Sequence, residues 1–149
     1  MKKYKAILPE VKIIYLPGTF QKVKIQNSKD CETVFRQFFD EGTISLYESF
    51  MVLFINRANN TIAWYKHSQG GIGGTIADVR LIFRTALECA ASGMIVCHNH
   101  PSGNKNPSVA DIELTKKIQE CAKFHDMALL DHIMLTHDSY YSFADEGIL

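Results

Sequence analysis

The chain holds no C-x-x-C pair and no excess of charge of either sign, with 16 basic residues against 16 acidic ones. Nor does any window reach the run of about 18 apolar residues that a membrane span requires. Each absence excludes something. A neutral chain gives no electrostatic pull toward nucleic acid or a membrane surface. The small basic start at Lys2, Lys3 and Lys5 reads as a solvated end. No secretory leader is visible, because the start is charged and the first apolar stretch is broken by Pro9 and Glu10. Cys31, Cys89, Cys97 and Cys121 are spread along the chain, so the expectation is reduced, mostly buried thiols in a cytoplasmic protein. No repeat, low-complexity stretch or linker interrupts the sequence.

What remains is an ordinary globular composition. The 149 residues are 46% hydrophobic and 21% charged, enough to bury one core without disulfides or structural metals. Val11 to Tyr15 reads as a strand, Pro17-Gly18 as a turn, and Phe20 to Ile25 as a strand pairing back. Asn27 or Ser28 is placed to cap a helix through about Phe39, with Val34, Phe35, Phe38 and Phe39 on its buried side. Ser49 to Ile55 is a strong apolar strand, and Ala58-Asn59-Asn60 a turn into its hairpin partner, Thr61 to Tyr65. Thr75 is expected to cap a helix to about Ala91, with an apolar stripe through Val79, Ile82, Phe83, Ala86, Leu87 and Ala90. A strand at Met94 to Cys97, a helix from about Ser108 to Phe124, a strand at Leu129 to Leu135 and a short strand at Tyr140 to Phe143 complete the chain. Strands and helices interleave, so the fold class is α/β or mixed α+β around one central mixed sheet flanked by helices.

Chemistry concentrates at His98-Asn99-His100-Pro101, followed by Ser108 and Asp111. At a strand end, residues two apart point to the same side, so both imidazoles can face one point. Asp111, opening the next helix, can bring a carboxylate there. Two histidines and one carboxylate without a fourth protein ligand match a catalytic zinc site that keeps one position for water. Cys97, adjoining His98, faces the other way and is not a ligand candidate. The Ser108-x-x-Asp111 spacing also resembles a helix capping box, and the two readings are compatible.

Other features carry less. Gly70, Gly71, Gly73 and Gly74 precede a helix but form neither G-x-x-x-x-G-K-[ST] nor G-x-G-x-x-G, so they read as a mobile loop beside the site rather than a phosphate cradle. The zinc deaminase signature is missing, with no H-x-E and no P-C-x-x-C. His98-Asn99-His100 shares letters with HNH nucleases, which spread their residues over a longer ββα unit. His132 reads as a satisfied core histidine, with a role as hydrogen-bond partner of a ligand left open. His67, His125 and His137 are expected to be solvated, and Trp64 with Phe35, Phe38 and Phe39 to be packing residues.

Together, Gly74-Thr75, Ala86-Leu87, His98 to Asn104, Pro107-Ser108, Asp111, Thr115, Asp131-His132-Ile133 and Ser142-Phe143 resemble the JAB/MPN domain of RadC-like proteins, over roughly residues 46 to 146. The resemblance implies a zinc-dependent hydrolase of peptide or isopeptide bonds with the JAB/MPN, cytidine-deaminase-like architecture. Carried over by position, His98, His100 and Asp111 would be the zinc ligands and Ser108 would help hold the oxyanion or water. Glu48, just before an apolar strand, would be the general base. Residues 1–45 would be N-terminal strands and a helix packed on the 46–149 metallohydrolase domain, one compact domain in all. No helix-hairpin-helix region is recognisable in residues 1–45, so no DNA role transfers with the resemblance. Ala77-Asp78-Val79-Arg80 lacks the His-Pro often found in the RadC branch.

The first functional expectation is therefore a Zn2+ metallopeptidase or isopeptidase acting on a peptide or protein. A second is a non-catalytic module in DNA repair, recombination or mobile-element biology. A third, a metal-dependent nuclease, rests on the family name alone. The sequence leaves substrate and oligomeric state open.

Overall fold

Three apolar runs, each buried along nearly its whole length, build the centre of the fold. In chain order the elements are α1 (Ser28–Arg36), β1 (Ser49–Ile55), β2 (Thr61–Gln69), α2 (Val79–Glu88), β3 (Gly93–Asn99), α3 (Val109–Phe124), β4 (Ala128–Leu135) and β5 (Tyr140–Ser142). The structure, a computed structural model, describes residues 11, 14, 21–71 and 74–149. The expected strand from Val11 to Tyr15, the turn at Pro17-Gly18 and Ile72-Gly73 of the glycine loop fall wholly or largely outside the described residues. The described part of the Phe20 to Ile25 expectation forms an isolated antiparallel bridge, Lys24 to Asn60, instead of a strand.

The sheet order is β2-β1-β3-β4-β5, with β3 and β4 parallel and every other neighbouring pair antiparallel. This is the mixed α/β fold the sequence pattern predicts. Interior strands buried on both faces lose the alternation of a half-exposed strand and read as continuous apolar runs. Their side chains still alternate between two layers. Phe50, Val52, Phe54, Met94 and Val96 face α2 and α3, meeting Ile82, Phe83, Ala86, Ile118 and Ala122. Met51, Leu53, Ile55, Ile95 and Cys97 face the other side and meet Val34 and Phe35 of α1. Cys97 accordingly points away from the layer that receives His98.

Gly93 opens β3 for a packing reason. A Cβ there would stand 2.9 Å from Leu130 Cδ1 and 3.0 Å from the Ala128 carbonyl, so a larger residue would have to push the Leu130 side chain aside and crowd the β4 backbone.

Two expectations are corrected. α2 starts at Val79 and not beside Thr75: Asp78 is its N-cap, and its side chain accepts from the Arg80 N–H. His67 is not solvated but half-buried. Its Nε2 accepts from the Asp78 N–H at 2.8 Å and its Nδ1 meets the Tyr65 hydroxyl, joining β2 to the start of α2. β2 correspondingly runs on to Gln69. Phe38 and Trp64 stack with ring centroids 4.1 Å apart, as packing residues should. Among the described residues, no helix is long and apolar enough to cross a membrane.

Candidate metal centre

The site forms where β3 ends against the start of α3. His98 is the penultimate residue of β3, and the His100 N–H continues the parallel ladder by donating to the Leu135 carbonyl at 2.8 Å. The strand alternation thus holds through both histidines and turns both rings to one side. Across the gap, Ser108 caps α3. Its hydroxyl accepts from the Asp111 N–H at 3.1 Å, and Asp111 Oδ2 accepts from the Ser108 N–H at 2.7 Å, the reciprocal pair of a capping box. The cap fixes the carboxylate in the first turn of the helix, where the positive end of the helix dipole also favours it.

The donor atoms converge. His98 Nε2 and His100 Nε2 are 3.0 Å apart, and Asp111 Oδ1 and Oδ2 lie 3.3 and 3.5 Å from them respectively. Ligand atoms about 2.0–2.1 Å from a tetrahedral zinc ion stand about 3.3–3.4 Å from each other. The spacing and the nitrogen-plus-carboxylate donor set therefore fit such an ion. Among the described residues this is the one cluster of three or more His, Cys, Asp or Glu side chains able to hold a metal. His100 Nδ1 donates to the Asn104 carbonyl at 2.9 Å, so its Nε2 is the atom left for the cluster.

The electrostatics agree with the geometry. Burial pushes the His98 imidazole down to about 4, so it is neutral and carries a lone pair. The adjoining Asp111 carboxylate raises His100 above its ordinary value. Burial works to raise the Asp111 carboxyl, but hydrogen bonds from His100 and Ser108 outweigh it and hold the group well below the usual carboxylate range. Asp111 is thus ionised, as a metal ligand must be.

Glu48 reaches the site through strand pairing. Phe50 is the antiparallel partner of His98, which brings Glu48, two residues earlier, beside His100. Burial raises its carboxyl above the ordinary value, aided by the charge on Asp111 and opposed by His100 and the Thr75 N–H. The end of the glycine loop closes over it: Gly74 has φ 126°, and a Cβ there would lie 3.8 Å from Glu48 Oε2. Thr75, expected as a helix cap, therefore lines the Glu48 carboxylate instead. Of the other glutamates, Glu88 pairs with Arg84 on α2, and Glu41 is exposed on the turn after α1.

Three residues behind the ligands support the site, among them His132, whose role as hydrogen-bond partner of a ligand the sequence leaves open. Asn99, between the two histidines, faces the other side of β3. Its Oδ1 accepts from the Ser49 N–H at 2.7 Å, and its Nδ2 donates to the carbonyls of Ile44 and Tyr47 at 2.7 and 2.9 Å. It pins both flanks of Glu48. His132 and Thr115 lie behind His98: the His132 ring meets His98 through one nitrogen and Thr115 through the other. Their signal in the sequence is faint: a polar residue inside an apolar strand and another inside an apolar helical stripe.

Ser108 is exposed, and its Oγ also stands 2.7 Å from Asp111 Oδ2. Ser108→Ala should cost about 1 kcal/mol of stability through the lost cap. Its Asp111 carboxylate, with one fewer donor, should bind metal less tightly. Chemical denaturation and metal titration of the variant read the two effects separately.

Comparison with known proteins agrees with this geometry. A family model described as the RadC-like JAB domain matches residues 25–148. A UPF0758 protein of Flavobacterium johnsoniae is 49% identical over 125 residues, covering 84% of this chain and 53% of that protein. A UPF0758 protein of Porphyromonas gingivalis is 44% identical over 103 residues, 68% of this chain and 45% of the relative. One of Staphylococcus carnosus is 35% identical over 134 residues, 90% and 58%. The chain spans about half the length of these curated relatives.

Proposed function

This chain belongs to the RadC-like JAB domain family, and on that premise we propose that it is a zinc-dependent hydrolase cleaving a peptide or isopeptide bond. The observation that carries the reading is the convergence of His98, His100 and Asp111 at metal-ligand spacing, with a second carboxylate, Glu48, beside the cluster. A scaffold needs neither the full donor set nor the adjoining acid.

His98 Nε2, His100 Nε2 and an Asp111 carboxylate oxygen would hold the ion. Zinc bound there supplies a Lewis acid that polarises the scissile carbonyl and lowers the pKa of water to about 7. Glu48 takes the proton from the attacking water at a carboxylate oxygen and returns it to the leaving amine nitrogen. Burial raises its carboxyl above the ordinary value, which makes it a stronger base toward the water proton than a solvated glutamate. Ser108 orients Asp111 through the capping box. In this reading its hydroxyl proton turns toward the oxyanion as negative charge develops. Asn99 keeps the Glu48 backbone in place throughout.

We further read the chain as one compact unit in which residues 1–45 pack on a 46–149 metallohydrolase domain. α1 supports this, since Val34 and Phe35 bury against the same sheet that carries the site. A cytoplasmic setting is supported by four free thiols, Cys31, Cys89, Cys97 and Cys121.

The test has two parts. Elemental analysis of protein purified without chelator should find about one zinc per chain, the stoichiometry of a three-ligand site. A library of peptides and isopeptides should then reveal cleavage that a chelator stops and added zinc restores. Protein that takes up no zinc when it is supplied would overturn the reading.

A further inference from the structure

We propose that His132 and Thr115 are positioning residues that fix the ring tautomer of His98, leaving its Nε2 lone pair turned to His100 and Asp111. The proposal deepens the zinc reading and rests on it for its consequence, although the tautomer itself can be observed without metal.

Hydrogen-bond direction along a buried chain carries the inference. It begins at an atom that can only accept. The Asp111 carbonyl lies 2.6 Å from Thr115 Oγ1, so the hydroxyl proton is committed to that contact. Thr115 Oγ1 is also 2.6 Å from His132 Nδ1. With its one proton already given, the hydroxyl accepts here, and His132 Nδ1 carries the hydrogen. His132 is 0% exposed, its two ring nitrogens meet only His98 and Thr115, and the ring stacks on Phe143 with centroids 4.5 Å apart, while the neighbouring Asp131 carboxylate is taken up by the His132 backbone N–H. In such surroundings the ring is neutral, so its Nε2 is an acceptor. That nitrogen is 2.8 Å from His98 Nδ1, which must therefore be the donor. His98 is neutral too, and one neutral imidazole carries one N–H. Its Nε2 is then bare, 3.3 Å from Asp111 Oδ1 and 3.0 Å from His100 Nε2.

The chain has no slack. Each link has its direction set by the one before, and the first is set by a backbone carbonyl. That carbonyl belongs to Asp111, itself one of the converging residues, so the loop closes on the site it serves. The usual partner of a ligating histidine is a carboxylate or a carbonyl. Here a neutral histidine takes that position and passes the orientation on from a carbonyl two bonds away in the network.

Thr115→Val tests the assignment, because valine keeps the shape but cannot accept from His132 Nδ1. The His132 ring then has no reason to keep its hydrogen on Nδ1. If the hydrogen moves to Nε2, His98 Nδ1 becomes the acceptor and its own hydrogen moves to Nε2, where it blocks the metal. Thr115→Ser restores the hydroxyl. Zinc affinity measured by competition with a chromophoric chelator should fall by about 10–100-fold in Thr115→Val. It should return to within about threefold of wild type in Thr115→Ser, since the orienting contact is the same. Circular dichroism confirms that each variant is folded.

Nitrogen-edited long-range spectra of the histidine side chains, recorded on the wild-type full chain without metal, read the tautomers directly. Both His98 and His132 should show hydrogen on Nδ1 and a bare Nε2. A protonated Nε2 on either neutral ring overturns the proposal, as does a folded Thr115→Val variant that binds zinc as tightly as wild type. If Thr115→Val does not fold, the wild-type spectra decide alone. A wild-type protein with the expected tautomers that takes up no zinc supports the proposed orientation and overturns the zinc reading, so the two fail separately.

Discussion

Glu48→Gln is expected to lower amide hydrolysis by about 10²–10⁴-fold while zinc content stays at the wild-type level. Glutamine has nearly the shape of glutamate, so the packing beneath Gly74 and beside His100 survives. It cannot take a proton from water. Its backbone is also held independently of the side chain, since Asn99 binds the Ser49 N–H and the Tyr47 carbonyl, and the Gly70 N–H donates to the Glu48 carbonyl at 2.8 Å. A loss of rate in this variant therefore reports proton transfer and not a displaced segment. The measurement is kcat on a substrate from the peptide library, paired with elemental analysis of the same sample. Wild-type turnover would exclude Glu48 as the base. Loss of zinc along with activity would make Glu48 a fourth ligand and the site a closed one.

His98→Ala and His100→Ala are each expected to abolish zinc binding, but to differ in what they do to the fold. His98 is 1% exposed and its Nδ1 meets His132. Removing it opens a cavity and leaves the His132 Nε2 without its partner, a loss of about 1–3 kcal/mol for the orphaned polar group alone. His100 is half-buried at the strand end, so His100→Ala should lower metal binding with little change in melting temperature. Both variants should keep the secondary structure of the parent, because the two apolar layers are complete without metal. Zinc titration with thermal melts separates the effects. Wild-type zinc affinity in both variants would reject the ligand assignment.

Much of this was legible in the chain because burial writes itself plainly there. β1, β3 and β4 are recognisable as apolar runs bounded by turns, and α3 is announced by Ser108 and its helical stripe. The ligand pair is readable for the same reason, since alternation at a strand end is local geometry. What could not be read depends on partners far away in sequence. Thr75 looked like a helix cap, and only the fold shows that its N–H faces Glu48 while Asp78 performs the capping. His67 looked solvated, because nothing local reveals that the Asp78 N–H meets its ring. The last residues of β2 are partly polar because it is an edge strand, and polarity hid their pairing with Ser49 and Phe50. Asn99 and His132 were visible as polar residues in apolar strands, but their hydrogen-bond partners lie between 17 and 55 positions away.

Asn99 has one more consequence, for how the chain finds its strand register. β1 and β3 are apolar along almost their whole length, and such strands could slide past each other with little hydrophobic penalty. A slip of one residue would still turn every side chain to the opposite layer. A slip of two would restore the layers and go unpunished by burial. The Asn99 amide closes that loophole. Its oxygen and nitrogen are satisfied by Ser49, Ile44 and Tyr47 only in the observed pairing, and an unpaired buried polar group costs about 1–3 kcal/mol. One buried amide thus acts as a proofreader of β-sheet assembly, rejecting the register error that hydrophobic pattern alone would accept.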